Sequence, residues 1–90
     1  MAHSNQSRKR IRQAVRHAAT NRPYRTRATR TVRDAREAIA DGAPDAADAV
    51  REAQSAVDRA ARRGIIHRNT AARRKSRLAR ALKALQLPAG

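Results

Sequence analysis

Apolar positions along this chain recur every three or four residues and nowhere alternate in twos, so the pattern predicts helices and no strand. Ile11, Ala14, Val15, Ala18 and Ala19 form one such run, and Ala28, Val32, Ala35 and Ile39 form another. Together they predict a first helix from about Ser7 to Ile39, with Ser4 or Ser7 as its cap. If continuous it would be about 50 Å long and would overhang any small bundle. Pro23 lies inside it, lacks an N–H, and predicts a kink. The alternative is a break, with Asn21 capping a restarted helix.

The clearest punctuation is Asp41-Gly42-Ala43-Pro44-Asp45. Gly42 suits the left-handed residue after a helix, and Pro44 suits the first position of the next. Helix two is then expected from about Pro44 to Arg63, with a stripe of Ala46, Ala49, Val50, Ala53, Val57, Ala60 and Ala61. So small a stripe permits close helix approach rather than a deep core. Gly64 ends this helix, and Ile65 and Ile66 are expected to plug the turn into the core. Helix three is expected from about Asn69, its N-cap, to Leu87, stopping before Pro88. Ala71, Leu78, Leu82 and Leu85 share its packing side. The fold predicted is all-α: an antiparallel three-helix bundle with a long, projecting first helix, one domain over residues 1–90. Residues 1–6 and 88–90 are expected to be loose in the free protein.

Charge changes the picture more than hydropathy does. The chain has 22 Lys and Arg against 7 Asp and Glu, a net charge of +15 and a pI near 12.0. Acids are confined to the middle: Asp34 is the first in the chain and Asp58 the last. Two basic arms therefore flank a mildly acidic middle. Such a chain repels itself and calls for a polyanionic partner, nucleic acid first and an anionic membrane surface second. The membrane alternative wants Trp or Phe on one face, and the chain has neither. With no Cys there is no disulfide or thiolate metal site. The basic N-terminus lacks an apolar signal segment, so an intracellular, cytoplasmic location is expected. The core must be thin, with four each of Val, Ile and Leu and a single aromatic, Tyr24.

Catalysis has little to stand on. His3, His17 and His67 are far apart in sequence, and no Gly-rich phosphate loop is present. Asp41, Asp45, Asp48, Glu52 and Asp58 read as a solvated or ion-pairing face rather than an acid/base site. No enzyme, no metal, no cofactor and no small-molecule substrate are expected. The basic stripes carry more. Arg8, Arg12 and Arg16 form a ladder at four-residue spacing, and Arg27, Arg30, Arg33 and Arg36 follow at three. On helix three, Arg73, Arg77, Arg80 and Lys83 oppose the apolar side, with Arg74 and Lys75 at its edges. Arg outnumbers Lys nineteen to three, which suits bidentate contact with phosphate. Single-strand stacking wants aromatics, whereas structured RNA read through phosphate and 2′-OH needs none. From the residues alone, RNA and a nucleoid-type role on DNA both stay open, as does a protein-interaction role for the acidic helix. His67 could cap, pack or meet a phosphate.

The stretch GIIHRNTAARRKSRL then narrows the choice. Its Gly64, Ile66, His67, Asn69, Ala71, Ala72, Arg73, Lys75, Ser76 and Leu78 resemble the signature of a bacterial small-subunit ribosomal protein family, the one numbered twenty. Ser7, Lys9, Arg10, Asn21, Arg22, Arg25 and Thr31 resemble that family's first helix, and Ala40-Asp41-Gly42 its first break. Arg68 stands where the family usually has Lys, and Pro23 falls in a helix the family usually leaves unbroken. The resemblance implies direct binding to 16S rRNA, other components of the small ribosomal subunit as neighbours, and a structural role without catalysis. It also implies Lys9, Arg10, Arg22, Arg25, Arg73 and Lys75 as RNA contacts, with His67, Asn69 and Ser76 near the RNA backbone.

Overall fold

A computed structural model describes residues 5–86. It contains three helices and, among the described residues, no strand: α1 (Asn5–Ala40), α2 (Ala46–Arg62) and α3 (Arg68–Gln86). The expected start at Ser7 moves two residues earlier, so Ser7 lies within α1 and is not its cap. Ser4, Leu87 and Pro88 lie outside the described residues, as do the expected loose ends except for Asn5 and Gln6, which are helical.

Two turns built on one hydrogen-bond scheme reverse the chain. After α1, the N–H of Gly42 donates to the Ile39 carbonyl (3.1 Å) and that of Ala43 to the Ala38 carbonyl (2.9 Å). After α2, Gly64 donates to Ala61 (3.0 Å) and Ile65 to Ala60 (2.9 Å). Both are Schellman motifs, which satisfy helix-end carbonyls by turning one residue left-handed. Gly42 and Gly64 occupy that position with φ of 62° and 72°. Pro44 does not open α2, as the sequence suggested. It sits in the turn, Asp45 is the N-cap residue and makes no side-chain capping bond, and the Ala46 N–H donates to Ala43.

The core sits where the C-terminal half of α1 meets α2 and α3. Ala28, Val32 and Ala35 of α1 face Val50, Ala53, Val57 and Ala60 of α2 and Ala71 and Leu78 of α3, with Ile39, Ile65, Ile66 and Leu82 packed around them. The two isoleucines after Gly64 thus reach the core as their position predicted. Most of the buried side chains are alanine, and only Val32, Val50, Val57 and Leu78 are larger. Ala56, outside the expected stripe, is buried as well. Leu85, expected on the packing side of α3, is 41 % exposed and lies beside the Gly42 turn.

α1 is a single helix through Pro23, so the break does not occur and Asn21 caps nothing; it is a half-buried residue in mid-helix. Contacts just past the proline secure this point. Arg63 stacks over the Tyr24 ring, its guanidinium carbon 4.1 Å from the centroid, and Arg25 Nη2 donates to the Ile65 carbonyl at 3.5 Å. The segment before Pro23 depends instead on the high helix propensity of Arg, Gln and Ala. It projects clear of the bundle, every residue from Arg8 to Thr20 being exposed. The expected apolar run Ile11, Ala14, Val15, Ala18 and Ala19 is therefore left uncovered by the described residues. The molecule measures 69 × 20 × 19 Å, with a radius of gyration of 18.0 Å. A compact chain of this length would have about 12 Å.

Two substitutions test this packing by thermal unfolding. Gly64→Ala has open space around the new methyl group, so it should lose only the cost of a left-handed L-residue, about 1–2 kcal/mol. Ala53→Leu places a large side chain at a fully buried helix contact and should cost roughly 1–3 kcal/mol through overpacking.

Candidate nucleic-acid interface

The basic side chains sort by what holds them. On α1, Arg8, Lys9, Arg10, Arg12 and Arg16 are exposed on the projecting arm, and no acid precedes Asp34 in the chain. Beyond Pro23, Arg25, Thr26, Thr29, Arg30 and Arg33 line one shallow depression on the outer side of the helix. Arg22 and Arg25 line the adjoining one, with His17 and Asn21. On α3, Arg73, Ser76, Arg77 and Arg80 line a depression on the side away from Ala71 and Leu78. Burial of small apolar residues on one face of each helix leaves the long bases on the other.

Some predicted site residues are held by acids instead. Lys75 Nζ lies 3.0 Å from Asp58 of α2, and Arg27 Nη2 lies 3.4 Å from Glu52 of α2. Arg33 is 3.7 Å from Asp34. α2 thus engages one base from each neighbour. The Arg27 and Arg33 pairs are well exposed and the Lys75 pair half-buried, so each contributes at most about 1 kcal/mol. Arg74 is half-buried, in keeping with its expected place at the edge of the apolar side.

The GIIHRN turn positions the start of α3. The Asn69 N–H donates to His67 Nδ1 at 3.0 Å, and the Ala71 N–H donates to the His67 carbonyl at 3.0 Å. His67 is therefore the capping residue, and Asn69 lies just inside the helix rather than at its cap. Accepting at Nδ1 places the imidazole proton on Nε2, which remains on an exposed ring. Arg68 and Asn69 are exposed beside it. Arg63 went unnoticed in the sequence. The signal was the Arg62-Arg63 pair directly before Gly64, with one aromatic residue in the whole chain for it to meet. Because Arg63 covers a face of Tyr24, the ring offers little to an unstacked base.

Among the described residues, no helix is long and apolar enough to cross a membrane, and no group of His, Cys, Asp or Glu could hold a metal ion. The described residues form a small helical scaffold displaying two Arg-rich surfaces. Comparison with known proteins specifies the class. The family model described as Ribosomal protein S20 matches residues 2–83. The small ribosomal subunit protein bS20 of Roseiflexus sp. (strain RS-1) is 51 % identical over 80 residues, covering 89 % of this chain and 88 % of the relative. The protein of the same name from Cereibacter sphaeroides (strain ATCC 17029 / ATH 2.4.9) is 47 % identical over 90 residues, covering 99 % and 98 %. That of Dinoroseobacter shibae is 46 % identical over 86 residues, covering 94 % and 98 %. This chain belongs to the ribosomal protein S20 family.

His67→Ala should destabilise the start of α3 by about 1 kcal/mol, the usual worth of a side-chain cap. A thermal melt measures the loss. Hydrogen exchange should place it at the first amides of α3 and leave those of α2 unchanged.

Proposed function

We propose that this protein is a structural component of the small ribosomal subunit that binds 16S rRNA directly. The observation that carries this is family membership over nearly the whole chain, with relatives named as small ribosomal subunit proteins. The charge placement supports it. The outer faces of α1 and α3 belong to different helices, so a single molecule can hold two RNA segments whose phosphates would otherwise repel. Arg guanidinium groups bind phosphate oxygens bidentately, and each phosphate neutralised releases counterions. Exposed contacts are proposed for Arg8, Lys9, Arg10, Arg12 and Arg16 on the arm, and for Arg22, Arg25, Arg27, Arg30 and Arg33 beyond it. On the other side they are proposed for Arg68, Asn69, Arg73, Arg74, Ser76, Arg77 and Arg80, with His67 Nε2 as a donor and Lys75 shared with Asp58. The role needs no catalytic step and no cofactor, and it puts the protein on ribosomes in the cytoplasm.

Filter binding to 16S rRNA and to duplex DNA of equal length, across a salt series, tests the proposal. With six to ten phosphate contacts, affinity should fall about 10³–10⁵-fold between roughly 50 and 200 mM salt. The preference for RNA should survive at the upper end. Equal affinity and equal salt slopes on DNA would favour the nucleoid-type role instead. Arg73→Glu combined with Arg77→Glu should weaken RNA binding on the order of a hundredfold, at about 1.5 kcal/mol for each guanidinium–phosphate pair removed. It should also reduce the salt slope by about two. Unchanged affinity would remove α3 from the interface.

A further inference from the structure

The projecting arm carries an apolar ridge that the basic surfaces alone do not explain. Ile11, Ala14, Val15 and Ala18 follow one another at three- and four-residue spacing, and Ile11 and Val15 are 56 % and 65 % exposed. They are not simply the core stripe extended past the end of the bundle. At about 100° per residue, the ridge is rotated by roughly 80° from the line Ala28, Val32, Ala35 and Ile39 that faces α2. Longer partner helices would still not cover it. Followed toward the C-terminus, the same line of α1 passes through Arg22, Arg25, Thr29 and Arg33. One face of the helix is thus apolar on the arm and basic beyond it.

Bases border the ridge on both sides. On the helical wheel Arg8 and Arg12 lie to one side and Arg10 to the other, and all three are exposed. An apolar strip with Arg8 and Arg12 along one edge and Arg10 at the other matches a groove whose floor is uncharged and whose rims are phosphate. A-form RNA has such a groove: the minor groove is wide and shallow and displays riboses, whereas the major groove is too deep and narrow to read. A second copy of this chain fits poorly, since no acid precedes Asp34 and two arms would repel. We infer that the arm lies in the minor groove of an RNA duplex. Ile11 and Val15 cover ribose carbon–hydrogen surface there, the small Ala14 and Ala18 let the helix approach closely, and Arg8, Arg12 and Arg10 reach the phosphates of the two strands. This rests on the RNA-binding role proposed above and adds to it a groove and an apolar contact that charge does not supply.

The test uses the full chain, 16S rRNA, and the double variant Ile11→Gln with Val15→Gln. Both positions are exposed and Gln favours helices, so helical content and melting temperature should match wild type. Affinity for 16S rRNA should fall about tenfold, as expected if each side chain is partly buried on binding. The salt slope should stay unchanged, because no charge is removed. Hydroxyl-radical footprinting should lose ribose protection on both strands of one duplex segment and keep the segment protected by α3. Arg12→Gln should instead lower the salt slope by about one. If wild type prefers 16S rRNA over DNA but the double variant binds it equally well with the same footprint, the ridge inference alone fails. If wild type shows no such preference, the RNA-binding role fails first. A wild-type dimer seen by sedimentation and abolished by the double variant would assign the ridge to self-contact and overturn its place on RNA.

Discussion

Two strongly basic helices share this core, and what lies between them is α2, a helix of balanced charge (Asp48, Glu52 and Asp58 against Arg51, Arg59 and Arg62) that turns a carboxylate toward each neighbour. It makes the most extensive contact with α1, a lesser one with α3, and leaves α1 and α3 touching least. Glu52 reaches Arg27 on one side and Asp58 reaches Lys75 on the other. Each exposed pair contributes little alone. What matters is that Glu52 and Asp58 lie on the inner flanks, where like charges would otherwise meet. The arm of α1 and the outer side of α3 keep their positive charge for a partner, whereas Arg33 on the outer side of α1 stands 3.7 Å from Asp34. Removing the acids would disturb the bundle, and spreading them outward would cancel the field that draws a polyanion.

The alanine-rich core follows from the same division of labour. Alanine lets the helices approach closely and frees the rest of each turn for long side chains. The cost is a small buried apolar surface, so the helix ends must be closed by geometry. Two glycines at positive φ and the His67 cap do this. The Arg63–Tyr24 stack and the Arg25 bond to Ile65 then tie the base of the arm to the α2–α3 turn. The GIIHRN stretch contributes to most of these, since it supplies the turn, two core-packing isoleucines, a cap and exposed donors within a few residues.

Much of this was legible in the sequence because it depends on local rules. Gly42 and Gly64 each follow a periodic run, and only glycine adopts the left-handed conformation there at little cost. The alanine stripe of α2 and the opposed faces of α3 follow from helical spacing. The errors have equally definite causes. At Pro23 only the alternative of a break fails, and the contacts that hold the helix just beyond it come from residues some forty positions later. Asn69 is a better intrinsic cap than His67, yet a backbone placed by Ile65 and Ile66 turns the imidazole onto the Asn69 amide. Pro44 carries the right φ for a first helical position, but the α1 Schellman turn runs on through it. Periodicity marked Ile11 and Val15 as apolar positions on one face, although it could not say that none of the described residues covers that face. The basic site was legible as a set of charges. Its division into outer faces and acid-paired inner flanks was not, because that depends on which side of each helix packs.

The central claim is that α1 and α3 hold two separate pieces of RNA, and directed cleavage tests it most directly. The chain has no Cys, so Ala19→Cys on the arm and Ala72→Cys on α3 each give a unique tether for an iron–EDTA reagent. Both positions are exposed. In complex with 16S rRNA, the two probes should cut two distinct sets of riboses, distant in RNA sequence, one from each helix. The same single set from both probes, or cleavage from only one of them, would contradict the account.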